Sequence, residues 1–154
     1  MWQSVQESYI ESRILTASPI ELVAMMYDAA IAAVRDARRK LAEKDIAGRS
    51  RAITKACEIL IELTQGLDHA RGGDISLRLA QLYDYIQHRL IEANIQQSDA
   101  PLAEALGLLS TLAEGWRTLR DREVQTRAAA PPPASAWAAS QTAEPVLAGR
   151  DWSL

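Results

Sequence analysis

The chain contains no phenylalanine, a single cysteine and only two histidines among its 154 residues. One cysteine excludes an internal disulfide and any zinc site that needs several cysteines. Aromatic residues are scarce, at 5%, and consist of four tryptophans and four tyrosines. Apolar residues still make up 48% of the chain, and the dominance of alanine and leucine among them favours helix over sheet. The composition therefore predicts an all-α protein with a sizeable core.

Residues that would support catalysis are also missing. A di-iron site in a helical bundle needs two Glu-x-x-His pairs, but Gly66 and Tyr85 stand three positions before the two histidines. The pair Gly72–Gly73 lacks the flanking strand and the lysine of a phosphate-binding loop. No third nitrogen or sulfur ligand stands at metal spacing. We expect no metal, no cofactor and no enzymatic activity.

Two single residues allow a functional and a structural interpretation. Cys57 and a histidine are in principle a nucleophile pair, but Cys57 lies on an apolar helical seam, as buried structural cysteines do. His88 invites comparison with phosphotransfer domains, which are also acidic helical bundles. The residues that follow it, Arg89 to Ile91, do not supply the pattern of such domains. We expect His88 to pair on the surface with Asp84 or Glu92.

The charge balance and the N-terminus narrow the class of protein further. The formal net charge is −3, which argues against nucleic acid and anionic membranes as partners. The N-terminus lacks the basic region and apolar run of a signal peptide. No segment has the roughly 20 strongly apolar residues of a membrane span. We predict a single-domain cytoplasmic protein with no membrane insertion.

Helix signals are strongest at Ser18. Ser18 and Glu21 have the spacing of a capping box, and Pro19 between them suits the first position of a helix. Periodicity and turn residues then predict four helices, at Ser18–Glu43, Ile46–Asp68, Asp74–Gln97 and Pro101–Arg127. The third carries a one-sided stripe of Ile75, Leu79, Leu82, Ile86, Leu90 and Ala93, and the fourth a seam of Leu102, Leu106, Leu109, Leu112, Trp116 and Leu119. Short connections favour an antiparallel up-down four-helix bundle over residues 18–127.

Two segments fall outside the predicted bundle. Residues 1–17 carry scattered apolar residues among Gln, Glu and Ser, which predicts a mobile N-terminal segment. Residues 128–154 begin AAAPPPAS, and three consecutive prolines favour an extended, disordered tail. Trp137, Trp152 and Leu154 in this tail are either a docking handle for a partner or a product of uneven composition.

The predicted bundle has more apolar surface than four packed helices need. Only Glu21 and Asp28 are charged between Ile20 and Val34. The segment Leu102–Leu119 is almost as apolar, with a strip of small residues at Ala103, Gly107 and Ser110 that would admit another helix. Both segments are either central helices of a tight bundle or the walls of an apolar binding groove. We favour the groove.

Two blocks of sequence resemble a known family. TASPIELVAMMYDAAI, from Thr16, and LYDYIQHRLIEAN, from Leu82, are similar to the corresponding blocks of the flagellar secretion chaperone FliS family. ILIELTQGLD, Gly72–Ile75 and Trp116 also fall where that family places similar residues. The resemblance covers about residues 9 to 120. Ala29 and Met26 depart from the family's usual Gly and Leu, and both are tolerable apolar exchanges.

The resemblance implies a cytoplasmic export chaperone. Its partners would be the C-terminal segment of flagellin, bound in hydrophobic grooves, and a component of the flagellar export gate. Asp28, on an apolar surface, needs a specific hydrogen-bond partner, and Tyr85 with Arg89 either grips the bound segment or forms an ordinary surface pair. The candidate flagellin-binding residues are Leu22, Met26, Tyr27, Asp28, Ile31, Tyr85, Arg89, Ala103, Gly107 and Ser110.

The N-terminal segment has a candidate role of its own. Tyr9, Ile10, Ile14 and Leu15 are expected to fold back over the groove in the free protein, as groove-capping residues that flagellin displaces. The alternative function is a structural bundle or adaptor that self-associates through the same surface, for instance as a homodimer, and does not bind flagellin.

Overall fold

The computed structural model describes residues 2–131 of the chain. Within this range the protein is entirely helical and contains no strand. Its five helices are α1 (Trp2–Thr16), α2 (Pro19–Ala42), α3 (Ile46–Gln65), α4 (His69–Gln96) and α5 (Asp99–Ala129). The all-α prediction is confirmed. The predicted tail with Trp137, Trp152 and Leu154 lies, from residue 132 onward, outside the described residues.

The predicted count of four helices is wrong, because residues 2–16 form a helix of their own. This stretch has neither glycine nor proline, and its Glu, Gln and Arg residues are good helix formers. Its apolar side chains follow no clear helical stripe, so periodicity gave no sign of α1. Helix α1 ends at Thr16, shortly before Pro19, which is the first residue of α2.

The start of α2 matches its sequence signal. The Ser18 hydroxyl accepts the Glu21 N–H at 3.3 Å, and the Glu21 carboxylate accepts the Ser18 N–H at 2.9 Å. These two bonds form the predicted capping box with Pro19 at the first helical position. Such a cap contributes about 1 kcal/mol.

The junction of α3 and α4 differs from the prediction. Helix α3 ends at Gln65 rather than Asp68, and α4 begins at His69 rather than Asp74. Asp68 is the reason, because its carboxylate accepts the N–H groups of Ala70 and Arg71, both at 3.1 Å. Just before the predicted start at Asp74, α4 has a kink at Gly73, where φ is 49° and ψ is −125°.

Of the described residues, 2–122 belong to one compact unit and 123–131 belong to a second. In the first unit α2 and α3 approach each other most extensively, because buried alanines on both helices keep the side chains between them short. Helices α4 and α5 add larger groups to the core. The fully buried large side chains are Tyr27, Val34, Leu60, Tyr83, Ile86, Leu90, Leu102 and Leu109.

One end of this unit is closed by polar contacts, and we call it the polar end. Arg38 and Asp99 form a two-bond ion pair at 2.7 and 2.8 Å. The buried Arg49 donates from Nε to the Asn94 side chain at 3.0 Å and from Nη2 to the Asn94 carbonyl at 3.3 Å. Asn94 lies in the last turn of α4, where the helix dipole favours a cation.

Candidate binding groove

An open apolar groove of about 490 Å³ lies away from the polar end. The start of α2, the end of α3, the start of α4 and the later part of α5 form its walls. Its apolar lining consists of Pro19, Ile20, Val23, Met26, Leu63, Leu67, Ile75, Leu79, Tyr83, Trp116 and Leu119. Such a concave site is the default location for a bound ligand.

The kink in α4 shapes one wall of the groove. Gly72 lies so close to Ser76 that a Cβ added there would come within 1.8 Å of the Ser76 hydroxyl oxygen. The same hydroxyl donates to the Asp68 carbonyl at 3.1 Å, which ties the first turn of α4 to the residues after the kink. Ile75 follows the kink and remains 70% exposed. A large apolar side chain is thereby held at the surface.

Three aromatic side chains from three helices meet beneath the groove. Tyr27 of α2 is fully buried, and its hydroxyl is bonded to that of Tyr83 on α4. The Trp116 indole N–H of α5 donates to the Tyr27 hydroxyl oxygen at 3.1 Å. Burial raises the pKa of both tyrosines above the usual value. Both hydroxyls therefore stay protonated and act only through hydrogen bonds.

Charged residues surround the apolar lining. Arg71 lies 3.7 Å from the Asp68 carboxylate, and both residues contribute to the groove with Glu62. Asp28 on α2 is bonded to Arg117 on α5, so its predicted specific partner is an arginine of the same chain. Polar groups around an apolar site fix the orientation of what binds there.

The candidate metal ligands, Cys57 and His88 show no arrangement in the described residues that would support catalysis. Among residues 2–131, no group of three potential metal ligands comes together. Cys57 is half-buried, and burial raises the pKa of its thiol, which keeps the nucleophilic thiolate scarce. The His88 ring nitrogen lies 2.8 Å from the Asp84 carbonyl and 3.5 Å from the Asp84 carboxylate. The prediction that His88 pairs with Asp84 or Glu92 is confirmed for Asp84.

Known proteins resemble this chain over nearly all of its helical part. The family model for flagellar protein FliS matches residues 1–123. The chain belongs to the FliS family. The flagellar secretion chaperone FliS of Salmonella typhimurium is 38% identical over 111 residues, covering 71% of this chain and 82% of that protein. The flagellar secretion chaperone FliSB of Pseudomonas aeruginosa is 31% identical over 72% of this chain and 88% of its own length.

A more distant relative spans a larger share of both chains. The FliS of Bacillus subtilis is 28% identical over 125 residues, which are 81% of this chain and 92% of that protein. Membership of the FliS family supports a role as a flagellar export chaperone and implies a non-enzymatic protein. Within the described residues, no helix is both long and apolar enough to cross a membrane.

The predicted FliS site residues on α2 have different surroundings. Met26 lines the groove, whereas the half-buried Leu22 does not. Tyr27 is buried beneath the groove and Ile31 is 6% exposed in the core. Asp28 is exposed beside Arg117. Only Met26 of these five is placed to touch a ligand in the groove directly.

The predicted residues on α4 and α5 lie away from the groove. Tyr85 donates to the Glu104 carboxylate, and Arg89 donates to the same carboxylate at 2.7 Å. The Tyr85–Arg89 pair therefore binds a residue of its own chain. Ala103 and Gly107 are exposed on α5, and the half-buried Ser110 donates to the Leu106 carbonyl at 2.7 Å. None of these five lines the groove.

The candidate capping residues of α1 are exposed. Tyr9, Ile10, Ile14 and Leu15 have exposures of 63%, 47%, 47% and 81%, and none of them lines the groove. That these four side chains cover the groove therefore stays a prediction, and it requires α1 to take a position other than the one in this structure. Exposed apolar side chains on a short helix are nevertheless available for burial elsewhere.

Most residues that line the groove were not among the predicted site residues, although the apolar stripes of α4 and α5 pointed to them. Ile75 begins the predicted stripe of α4, and Leu119 ends the predicted seam of α5. Their side chains are 70% and 46% exposed, so neither belongs to the core. Apolar stripes that continue past the packed part of a helix are the signal that would have identified the groove.

Proposed function

We propose that this FliS family member is a cytoplasmic export chaperone that binds the C-terminal segment of flagellin. The observation that carries the proposal is the apolar groove walled by four helices. An amphipathic helix binds such a groove through its apolar side chains. By covering that segment the chaperone would prevent premature polymerisation and deliver flagellin to the type III export apparatus, where a gate component would be its second partner.

The size and chemistry of the groove suit a segment that folds on binding. Coupled folding and binding normally buries about 1,000 to 3,000 Å². The groove offers large exposed side chains, among them Ile75 and Leu119. Further surface on α5, at Ala103, Gly107 and Ser110, and the Tyr85–Arg89 pair would extend the contact if the segment continues around the bundle.

We also propose that α2 to α5 form an antiparallel up-down four-helix bundle. Two pairs between α2 and α5 support this arrangement. Asp28, early in α2, is bonded to Arg117, late in α5, whereas Arg38 later in α2 is bonded to Asp99 at the start of α5. The order is reversed along the two helices, as an antiparallel pair requires. Arg49 at the start of α3 contacts Asn94 at the end of α4 in the same sense.

Helix α1 would regulate access to the groove. The proposal is that Tyr9, Ile10, Ile14 and Leu15 cover the groove in the free protein and leave it when flagellin binds. Their exposure makes them free to take part in such an exchange. Deletion of residues 2–15 is expected to raise ANS fluorescence and alter affinity. Unchanged fluorescence together with unchanged affinity would contradict this role.

The decisive experiment is calorimetric titration with the C-terminal segment of flagellin from the same organism. We expect one-to-one binding, a negative heat-capacity change and a gain in helicity, because apolar surface is buried as the segment folds. Affinity should depend weakly on salt, unlike that of a nucleic-acid complex. Absence of binding, with and without residues 2–15, would overturn the proposal.

The second candidate function is a self-associating bundle or adaptor without flagellin binding. The exposed apolar side chains of α1 favour it, since they could enter the groove of a second copy. Sedimentation velocity over a range of concentrations distinguishes the two. Association that rises with concentration, combined with no calorimetric signal from the flagellin segment, would favour this second function.

A further inference from the structure

Tyr27 joins the core to the groove through hydrogen bonds. Its side chain is fully buried, and its two hydrogen-bond partners at the groove are Tyr83, which is itself buried, and the half-buried Trp116. The three residues come from α2, α4 and α5. A single buried hydroxyl thus connects the two groove-lining aromatic rings to the core helix α2.

The direction of one of these two bonds follows from the chemistry of the groups. An indole N–H can only donate, so the Tyr27 oxygen accepts from Trp116 at 3.1 Å. A hydroxyl oxygen can accept two hydrogen bonds, so either tyrosine can donate in the bond between Tyr27 and Tyr83. In both cases the Tyr27 hydroxyl is the group that the other two side chains share. Removal of the Tyr27 hydroxyl breaks both bonds, whereas removal of the Tyr83 hydroxyl leaves the bond to Trp116 in place.

Ring packing alone does not explain a tyrosine at this position. The Tyr27 ring centroid lies 6.3 Å from that of Trp116 at 29° between ring planes, and 6.3 Å from that of Tyr83 at 55°. A phenylalanine would keep both ring contacts. Burying a hydroxyl costs free energy unless it is hydrogen-bonded. What tyrosine adds over phenylalanine at this position is therefore the pair of hydrogen bonds to Trp116 and Tyr83.

We propose that Tyr27 is a positioning residue of the groove, whose hydroxyl fixes the half-buried Trp116 indole for the apolar side chains of the bound segment and holds the buried Tyr83 ring at the groove wall. The inference rests on the proposed function of the groove. If these side chains are already ordered in the free protein, binding loses less conformational entropy and is tighter. Tyr27 itself does not touch the ligand.

The test compares Tyr27→Phe with the full-length wild-type chain. Titration with the C-terminal segment of flagellin should show about three- to tenfold weaker binding, the range expected for ordering one or two side chains. A second readout is the indole N–H resonance of Trp116 in ¹⁵N-tryptophan-labelled protein, assigned with Trp116→Phe because the chain has four tryptophans. In Tyr27→Phe this resonance should shift and exchange faster with water, whereas in Tyr83→Phe it should stay close to wild type.

A core variant controls for lost stability. Ile53 is 3% exposed in the core and does not line the groove. Ile53→Val should lower the melting temperature and leave both affinity and the indole resonance unchanged. Wild-type affinity in Tyr27→Phe, measured where both variants are folded, would overturn the positioning role alone. Absence of binding by wild type would overturn the proposed function and this inference with it.

Discussion

The two ends of the helical unit are built from opposite kinds of contact. At the polar end, Arg38 with Asp99 and Arg49 with Asn94 join helices through hydrogen bonds. At the groove, large side chains such as Ile75 and Leu119 stay exposed. The polar end makes bonds whose loss leaves a charged group without its hydrogen-bond partner, whereas the groove leaves large apolar side chains exposed. Stability and binding should therefore be separable by mutation.

The largest effect is expected from the buried arginine at the polar end. Asn94→Ala removes the side-chain acceptor of Arg49, which is 3% exposed. The free energy of unfolding should fall by about 2 to 3 kcal/mol, since hydrogen bonds to charged groups are worth that much. Urea unfolding followed by circular dichroism measures the loss.

The control for this prediction is Ser50→Ala. Ser50 donates to the same Asn94 oxygen at 3.2 Å as a neutral group, so its loss should cost only about 1 kcal/mol. Equal costs for the two variants would mean that the charge of Arg49 is irrelevant. A large loss of flagellin affinity in folded Asn94→Ala would contradict the separation of the two ends.

The reverse pattern is expected at the groove. Ile75→Asp places a charge under the bound apolar side chains and should weaken flagellin binding by at least about 2 kcal/mol, or roughly thirtyfold. Stability should change by less than about 0.5 kcal/mol, because the side chain is 70% exposed. Calorimetry and urea unfolding of the same sample measure both.

Helix α4 supplies a matched control for the groove variant. Ile95 is 77% exposed near the other end of the helix and does not line the groove. Ile95→Asp introduces the same charge at a similar exposure and should leave affinity unchanged. If both variants lost affinity equally, net charge rather than the groove would be the cause.

The kink at Gly73 is the place where one substitution should affect both properties. Gly73 has φ of 49° and ψ of −125°, a backbone conformation that a residue with a Cβ rarely adopts. Gly73→Ala should destabilise the protein by about 1 to 2 kcal/mol and weaken binding, because Ile75 follows the kink. Gly115→Ala is the control: it lies inside α5 with nothing within 4 Å of an added Cβ. It should stabilise by about 0.5 to 1 kcal/mol.

Local signals predicted the starts of α2 and α3, whereas features that depend on distant residues could not be predicted from the sequence. The capping box at Ser18 needs only residues within three positions, and it is present as predicted. The burial of Tyr27 was missed because α2 is apolar on most sides, so its inward face is decided by α4 and α5. The groove joins Pro19 to Leu119, and no local pattern relates two residues so far apart.

Helix α1 and the start of α4 show the other limit of sequence patterns. The side chains of α1 have no stripe to reveal a helix, yet nothing in residues 2–16 prevents one. A helix was predicted to start at Asp74, after the Gly72–Gly73 pair, but the Asp68 cap starts α4 ahead of the pair. The glycine pair therefore lies at the kink of α4, but it does not mark the start of that helix.

The smallest expected effect is a pH dependence at the polar end. Hydrogen bonds from the Arg38 guanidinium hold the pKa of Asp99 below its usual value. The Gly48 N–H does the same for Asp45. A carboxylate whose pKa is lower in the folded state stabilises that state above its unfolded pKa of about 3.9. That contribution is lost as the pH falls through the folded pKa.

Asp99→Asn should therefore reduce stability at pH 7 and make the decline below about pH 4 shallower. The loss should be under about 1 kcal/mol, because both side chains are partly exposed and solvent screens the pair. Thermal unfolding between pH 2 and pH 7 measures it. A cycle with Arg38→Ala isolates the pair, since the double variant should lose less than the sum of the single variants. Strict additivity would mean that the two helices are joined at this end by Arg49 and Asn94 rather than by the exposed ion pair.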